Sequence, residues 1–316
     1  MSILPAEVTI YEVGPRDGLQ NESRLIDTSI KIEFITKLLA AGLPAVEATS
    51  FVHPQRVPQL ADADEVAAAV LSYAAREATT QRVPVLVPNE RGLDRAIAVG
   101  AHEIAVFVSA TESFAQANLG TSLTGQMSMV TPVILRALAE GLRVRAYVSM
   151  CWGDPWEGAV AHSAVQDVAS QLLSAGAHEI SLGDTIGVAT ASEVQTMLRS
   201  LRSAGCQPHN TAVHFHDTYG QATANVLAAL EEEITIIDSS AGGLGGCPFA
   251  MSATGNLATE DILWCLHQQG VRTGVNLEAV VAATTWLSQE TGLQPQSRAY
   301  VALSHRFQGI SPGGAA

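Results

Sequence analysis

Residues 9–18 read TIYEVGPRDG and join a short apolar run to a turn that contains Pro15, Arg16 and Asp17. The first strand of an open dinucleotide-binding sheet leads instead into Gly-x-Gly-x-x-Gly, because closely spaced glycines let the backbone approach a pyrophosphate. A turn filled by proline and charged side chains cannot take that shape. The stretch therefore disfavours the open, doubly wound sheet and favours the other common arrangement of parallel strands, a closed barrel.

The rest of the chain repeats the same unit. Short apolar runs rich in β-branched residues alternate with segments that have helical spacing and many Ala and Leu residues. The predicted strands span residues 9–13, 45–49, 83–87, 103–108, 144–149, 179–182, 212–216 and 234–238. Eight alternating units predict an α/β fold of the (β/α)8 or TIM-barrel class, with extra helices from about residue 256 and over residues 277–291.

Length and composition set the domain organisation. A chain of 316 residues with 47% hydrophobic residues is long enough for one barrel, which commonly takes roughly 250 residues. We expect a single catalytic domain over residues 1–316, with the barrel at about 8–270, a helical extension at about 271–310 and a disordered tail at 311–316.

Charge and hydropathy exclude two classes of partner. The net charge is −14, from 31 acidic and 17 basic side chains, and the basic residues form no cluster that suits nucleic acid. The first eight residues lack the charged start and apolar run of a signal peptide, and no apolar stretch is long enough to span a membrane. We therefore expect a cytoplasmic protein that binds neither nucleic acid nor membrane.

Polar side chains stand at the ends of several predicted strands. In a barrel these ends face one mouth, where the chemistry takes place. The side chains are Arg16, Asp17, Glu47, Asp184, His214, His216 and Asn256. Polar residues needed only for solubility would be scattered over the helices, so this convergence indicates a functional site.

His214 and His216 are separated by one residue, so the period of two along a strand places both imidazoles on one face and Phe215 on the other. Asp17 and Asn256 add a carboxylate and an amide oxygen. This mixed set of nitrogen and oxygen ligands suits Mg²⁺, Mn²⁺ or another divalent ion. The alternative is a pair of hydrogen-bonded core histidines, which the presence of Asp17 at the same mouth disfavours.

Arg16, Glu47 and Asp184 each have a structural and a chemical interpretation. Arg16 forms either a plain ion pair with Asp17 or a rigid fork for a developing enolate oxygen. Glu47 lies in an apolar run, where a carboxylate must be paired or protonated, and we expect Arg16 as its partner. Asp184 either supports the site or caps the next helix.

The run AGGLGGCP at residues 241–248 has four glycines and is expected to be mobile unless a ligand orders it. Its Cys247 suits a proton donor that loop closure carries to the mouth, and the alternative is a small buried cysteine. The other cysteines are Cys151, Cys206 and Cys265, and none of the four has paired CxxC spacing. A special cysteine is therefore expected to be chemical rather than structural.

Five segments resemble the hydroxymethylglutaryl-CoA lyase family in their order and spacing. They are EVGPRDGLQNE (12–22), SLGDTIGV (181–188), HFHDTYGQ (214–221), GLGGCP (243–248) and GNLATED (255–261). The similarity covers most of the chain. It implies a TIM barrel that cleaves (S)-3-hydroxy-3-methylglutaryl-CoA to acetyl-CoA and acetoacetate, a step of leucine degradation and ketone-body metabolism.

The resemblance also implies a site. Mg²⁺ or Mn²⁺ would be held by Asp17, His214, His216 and Asn256, and a base, Asp17 or His214, would remove the hydroxyl proton of the acyl-CoA substrate. The implied catalytic residues are Arg16, Asp17, Glu47, Asp184, His214 and Cys247, and the implied substrate-binding residues are Arg16, Gln20 and Asn118. We further expect a homo-oligomer of two or more copies.

Three alternatives use the same kind of barrel. A sister lyase would cleave a longer 3-hydroxyglutaryl-CoA, and a synthase of the isopropylmalate or homocitrate type would run the condensation direction. Such synthases typically have a Gly-Glu-Arg type segment where this chain has Gly-Cys-Pro. A non-catalytic acyl-CoA-binding barrel is less consistent with the intact site. The family's lyases often carry lysines at the positions of Ala117 and Ala159, so the acyl group and the contacts to the CoA phosphates stay open.

Overall fold

The structure is a computed structural model that describes residues 4–77, 79–246 and 255–305. Its strands are β1 (Thr9–Glu12), β2 (Ala45–Val46), β3 (Thr49–Ser50), β4 (Val85–Leu86), β5 (Glu103–Ser109), β6 (Arg143–Ser149), β7 (Gly153–Asp154), β8 (Gly158–Ala159), β9 (Glu179–Asp184), β10 (Thr211–Phe215) and β11 (Ile236–Ser239). Its helices are α1 (Thr28–Ala40), α2 (Ala63–Arg76), α3 (Glu90–Ala98), α4 (Glu112–Phe114), α5 (Leu123–Ala139), α6 (His162–Ser174), α7 (Ala191–Leu201), α8 (Ala222–Glu231), α9 (Thr259–Gln268), α10 (Leu277–Thr291) and α11 (Arg298–Ser304).

The parallel sheet has the strand order β2-β1-β11-β10-β9-β6-β5-β4-β3. Its two end strands, β2 and β3, belong to one stretch and are separated only by Glu47 and Ala48. The backbone N–H of Glu47 donates to the carbonyl oxygen of Glu12 at 2.8 Å, and that of Ala48 donates to Pro84 at 3.0 Å. One stretch therefore bonds to both of its neighbours and closes the sheet, which confirms the predicted (β/α)8 barrel.

Each predicted strand has a counterpart in this barrel, with differences at the ends. β9 extends the predicted 179–182 as far as Asp184, whereas β4 keeps only two residues of the predicted 83–87. Phe215 of β10 packs against Trp152, with ring centroids 5.6 Å apart, in the main hydrophobic core. His214, its neighbour, lies within reach of Asp238 of β11, so the predicted alternation along this strand is confirmed.

Glycines follow helices α3 and α6 and set the start of the next strand. Gly100 and Gly176 have φ angles of 79° and 101°, a left-handed conformation that side chains disfavour. β5 and β9 begin three residues later, at Glu103 and Glu179. The same short motif, GAHEI, therefore stands at both helix-to-strand junctions.

Helices α9 to α11 follow the last barrel strand. The helix predicted from about residue 256 begins at Thr259, and α10 has the predicted bounds. Helix α11 was not predicted; Asp261 of α9 accepts hydrogen bonds from the hydroxyl of Ser297 and the N–H of Ala299, which hold its first turn. The predicted tail at 311–316 lies outside the described residues. In the described part of the chain, no helix is long and apolar enough to cross a membrane.

Two buried carboxyl groups hold the backbone where the chain leaves β11. Glu12 accepts the backbone N–H groups of Gly14 and Ala241, both at 2.8 Å, and the hydroxyl of Thr259 at 2.6 Å. Glu260 accepts the backbone N–H of Gly242, which follows Ala241 in the chain. Burial raises the pKa of both carboxyl groups to about 7, against the opposite effect of these hydrogen bonds. The carboxyl groups therefore change charge near neutral pH.

The replacement Glu12→Gln should remove part of the pH dependence of stability. The pKa of Glu12 rises from 4.5 to about 7 in the folded protein, so the folded state binds more protons between these pH values. The free energy of unfolding must then fall as the pH rises through that window. Glutamine stays neutral and keeps an acceptor for both N–H groups. Between about pH 5 and pH 8 the variant should therefore lose about 3 kcal/mol less unfolding free energy than the wild type.

Urea unfolding followed by circular dichroism in EDTA measures this difference without a contribution from bound metal. The control is Glu77→Gln, which changes an exposed carboxylate just after α2 and should follow the wild type. If the unfolding free energies of the wild type and Glu12→Gln changed in parallel with pH, the raised pKa of Glu12 would be contradicted.

Candidate active site

Asp17, His214 and His216 lie together at the carboxyl-terminal mouth of the barrel. Asp17 belongs to the turn Gly14–Gly18 that follows β1, and the two histidines stand at the end of β10. One ligand atom from each lies within 4.8 Å of the other two. Nε2 of His214 is 4.0 Å from Oδ2 of Asp17. The barrel thus brings side chains that are distant in sequence into one group that could hold a metal ion.

Asn256 completes the predicted ligand set. Its Nδ2 donates to Oδ2 of Asp17 at 2.9 Å and to the carbonyl oxygen of Leu244 at 3.0 Å. Its Oδ1 is buried and has no hydrogen-bond partner among the described residues. An unpaired buried amide oxygen is costly and is a good ligand for a hard cation. The four side chains therefore fit Mg²⁺ or Mn²⁺, which accept carboxylate, amide and imidazole ligands.

The backbone beside Asn256 is paired with the end of β10. The N–H of Leu257 donates to the carbonyl oxygen of Phe215 at 2.9 Å, and the N–H of Asp217 donates to that of Gly255 at 3.1 Å. Gly255 also lies against the glycine-rich segment, because a Cβ atom on it would stand only 1.9 Å from the carbonyl oxygen of Gly243. Close packing of backbone against backbone therefore sets the position of Asn256.

The carboxylate of Asp17 is kept ionised by its neighbours. Burial by itself raises the pKa of Asp17, but the positive charge of Arg16 and the nearby rings of His214 and His216 outweigh burial. The pKa of Asp17 is held below its ordinary value as a result. A carboxylate that holds its charge is a good metal ligand.

Arg16 is held by two carboxylates. Its Nε donates to Glu47, and its terminal nitrogen donates to Oδ1 of Asp17 at 2.6 Å. Glu47 is fully buried and also accepts the hydroxyl groups of Tyr147 at 2.5 Å and Tyr11 at 3.3 Å. The predicted contact between Glu47 and Arg16 is confirmed. The tyrosine hydroxyls hold Glu47, and the two carboxylates in turn orient the guanidinium, which lies 5.2 Å from the centre of the Tyr147 ring.

Gln20, Asn118 and Cys247, which the resemblance also implies, have three different outcomes. Gln20 is part of the cluster, because its Nε2 donates to Oδ1 of Asp17 at 2.8 Å. Asn118 belongs to the turn Ala115–Leu119 after α4 and makes no hydrogen bond to the described residues of the cluster. Cys247 lies outside the described residues.

Asp184 serves the backbone of its own loop. Its carboxylate accepts the N–H groups of Val188 at 3.0 Å and Ala189 at 2.9 Å, and burial raises its pKa to about 6. Helix α7 is capped by other residues, since Thr190 and Glu193 form a capping box at its start. Asp184 therefore shapes the loop after β9, and it is not the cap of the next helix.

Sequence reasoning missed three polar side chains inside the barrel. Arg145 is fully buried, pairs with Asp238 and lies 3.1 Å from Glu179. Asp238 contacts Nδ1 of His214 at 3.3 Å, and Tyr147 binds Glu47. The available signal was a charge within an apolar strand pattern, in VRAYVS and IIDSS. Only the cross-barrel geometry gives these side chains their partners.

The HMGL-like family matches residues 7–286 of the chain. The mitochondrial hydroxymethylglutaryl-CoA lyase of Arabidopsis thaliana is 46% identical over 304 residues, which are 96% of this chain and 64% of that relative. The crystal structure of hydroxymethylglutaryl-CoA lyase from Pseudomonas aeruginosa has a TM-score of 0.92 and 42% identity, over 97% of this chain and 100% of that one.

A structure of an HMG-CoA lyase from Acinetobacter baumannii in complex with coenzyme A and 3-methylmalate is also similar. Its TM-score is 0.88 at 30% identity, over 99% of this chain and 100% of that one. The family match covers most of the sequence, and the structures agree with it over their full length. The chain therefore belongs to the HMGL-like family.

Proposed function

We propose that this chain is a lyase that cleaves (S)-3-hydroxy-3-methylglutaryl-CoA to acetyl-CoA and acetoacetate. The observation that carries the proposal is the group of Asp17, His214, His216 and Asn256 beside Arg16 at the barrel mouth. Similar proteins named as hydroxymethylglutaryl-CoA lyases support the same reaction. In this proposal the enzyme works in leucine degradation and ketone-body metabolism, in the cytoplasm.

The side chains of Asp17, His214, His216 and Asn256 would hold Mg²⁺ or Mn²⁺. When bound, the ion supplies Lewis-acid chemistry, polarising the tertiary hydroxyl of the substrate and lowering its pKa. Asp17 contributes a carboxylate that its neighbours keep ionised. Asn256 contributes the amide oxygen that has no hydrogen-bond partner among the described residues.

Arg16 stabilises the negative charge that develops on the thioester oxygen. Its guanidinium is held in place before the reaction by Glu47 and Asp17, so little reorganisation is needed when charge appears. These two bonds use only part of its five N–H groups and leave others for the substrate. Glu47 is a positioning residue in this scheme because it touches Arg16 and two tyrosines.

In the proposed reaction, the hydroxyl proton, the bonding electron pair and the proton added to the enolate each have a donor and an acceptor. The hydroxyl proton leaves to a base at the site, for which the carboxylate of Asp17 is the candidate, since both ring nitrogens of His214 are engaged by the metal ion and by Asp238 in this scheme. The C2–C3 bond breaks as the hydroxyl carbon becomes the ketone of acetoacetate. The bonding electron pair forms the enolate of acetyl-CoA. Cys247 then donates a proton to the enolate carbon, a role inferred from its place in the glycine-rich run of the sequence and from the family resemblance.

The coenzyme A part of the substrate is supported by the complex of the similar lyase with coenzyme A. Both lysines of this chain lie on α1 and contact residues of other segments. Lys31 is buried and binds Asp62 at 2.9 Å, and Lys37 lies 4.9 Å from the ring centre of Trp286. We therefore infer that arginines or backbone N–H groups bind the CoA phosphates.

Acetoacetate release tests the reaction and its metal dependence together. The purified protein should release acetoacetate from hydroxymethylglutaryl-CoA with Mg²⁺, stop after dialysis against EDTA, and recover with Mg²⁺ or Mn²⁺. His216→Ala should weaken Mn²⁺ binding, measured by calorimetry, by about 10-fold or more, because it removes one ligand. Thr36→Ala is the control, because Thr36 is a half-buried residue of α1 whose hydroxyl donates only to the carbonyl oxygen of Glu33 on the same helix.

Two results would contradict the proposal. Full turnover in excess EDTA would exclude the metal, and release of acetyl-CoA only from a longer 3-hydroxyglutaryl-CoA would assign the site to the sister lyase.

Arg16→Gln should slow cleavage by about 10²–10³-fold, the usual cost of removing one donor from an oxyanion site. Mn²⁺ affinity should stay nearly unchanged, because Arg16 is not a ligand. The control is Arg82→Gln, which changes an arginine paired with Glu103 at the opposite end of the barrel and should keep kcat within about threefold. A loss below tenfold for Arg16→Gln would show that this side chain is structural.

A further inference from the structure

His214 has a carboxylate on each side of its ring. Nε2 is 4.0 Å from Oδ2 of Asp17, and Nδ1 is 3.3 Å from Oδ2 of Asp238. His214 and Asp238 stand directly opposite each other in the register of β10 and β11. The contact is therefore built into the pairing of two barrel strands and does not depend on a loop.

Asp238 is itself held from two further strands. Arg145 of β6 pairs with its Oδ1, and the hydroxyl of Ser181 on β9 donates to its Oδ2 at 2.8 Å. Asp238, Arg145 and Ser181 are all buried, and the Arg145 guanidinium lies 3.7 Å from the ring centre of Tyr11. A carboxylate with these fixed donors has little freedom to turn away from His214.

The chemistry of this contact selects one form of the imidazole. An ionised carboxylate only accepts hydrogen bonds, so Nδ1 of His214 must carry the hydrogen that points at Asp238. In a neutral ring, Nε2 then carries the lone pair. Nε2 faces Asp17 from 4.0 Å, which is beyond hydrogen-bond distance, so Asp17 does not compete with Asp238 for the ring hydrogen. Only a nitrogen with a free lone pair can bind a metal ion.

We propose that Asp238 is a positioning residue that fixes the Nδ1–H tautomer and the ring orientation of His214, with Arg145 and Ser181 as its supports. Asp238 touches neither substrate nor metal and acts through His214. The assignment rests on the proposed metal site. Many metal-binding histidines donate a hydrogen bond from their second ring nitrogen to a carboxylate. Removal of that carboxylate typically lowers metal affinity by about 10–100-fold.

The tautomer of His214 is measurable in the metal-free wild type, without any assay of activity. Long-range ¹H–¹⁵N correlation spectra of protein labelled at histidine distinguish protonated from unprotonated ring nitrogens. The missing signals in His214→Gln assign the ring. We expect a protonated Nδ1 and an unprotonated Nε2 at a pH where the ring is neutral. An Nε2–H ring in the wild type would overturn the proposal.

The variant Asp238→Asn removes the charge and leaves the shape. We expect His214 to lose its single tautomer, and Mn²⁺ affinity, measured by calorimetry, to fall about 10–100-fold. Ser181→Ala removes one support and should give a smaller fall. The matched control is Glu103→Gln, a buried carboxylate paired with Arg82 and Arg143 at the amino-terminal end of the barrel. It should leave both measurements unchanged.

The outcomes of these experiments distinguish the role of Asp238 from the lyase reaction proposed above. Mn²⁺ affinity within twofold of the wild type in both Asp238→Asn and Ser181→Ala would overturn the role of Asp238. An equal loss in Glu103→Gln would overturn it too, since any buried charge would then have the same effect. If Asp238→Asn fails to fold, the wild-type tautomer and Ser181→Ala decide. Absence of acetoacetate release with the expected tautomer and affinities would contradict the lyase reaction and support Asp238.

Discussion

The closure of the barrel depends on the six-residue stretch that contains β2 and β3, because this stretch must bond to β1 on one side and to the β4 segment on the other. Glu47 sits at the interruption between the two short strands. Its buried carboxylate collects donors from both sides of the barrel, Arg16 and Tyr11 near β1 and Tyr147 on β6. Glu47 therefore lies where the sheet closes and also orients the guanidinium of Arg16 at the mouth of the barrel.

The interior of this barrel holds charges where many barrels hold branched apolar side chains. Arg145, Glu179 and Asp238 are fully buried or nearly so, and each has an oppositely charged neighbour. Buried ion pairs add little net stability over apolar residues of the same size, because desolvation opposes their attraction. Their value here is geometric: each fixed charge orients the next side chain towards the mouth.

Much of the fold could be predicted because its determinants are local. Runs of β-branched residues located the strands, and the period of two placed His214 and His216 on one face. The contact between Glu47 and Arg16 followed from the cost of an unpaired carboxylate in an apolar run. In contrast, the interruption at Glu47 follows from hydrogen bonds to two different neighbouring segments, which the hydrophobic pattern does not report.

The cross-barrel contacts escaped prediction for a different reason. Arg145 and Asp238 stand on β6 and β11, which are separated in the sheet by β9 and β10. Their meeting depends on barrel diameter and strand register, and neither is written in the local sequence. Asp184 shows a different case, since its partners are only four and five residues away. The local motif suggested a cap of the next helix, whereas the carboxylate binds the loop before that helix.

The backbone contact between Gly255 and Gly243 bears on how the metal preference of such a barrel can change during evolution. Neither residue has a side chain to enlarge or trim, and the neighbouring N–H and C=O groups are part of a ladder with β10. The position of Asn256 therefore cannot drift by small steps without breaking that ladder. In the proposed metal site, a change of cation preference would therefore have to come from the chemical type of the ligand side chains rather than from a shift of this backbone.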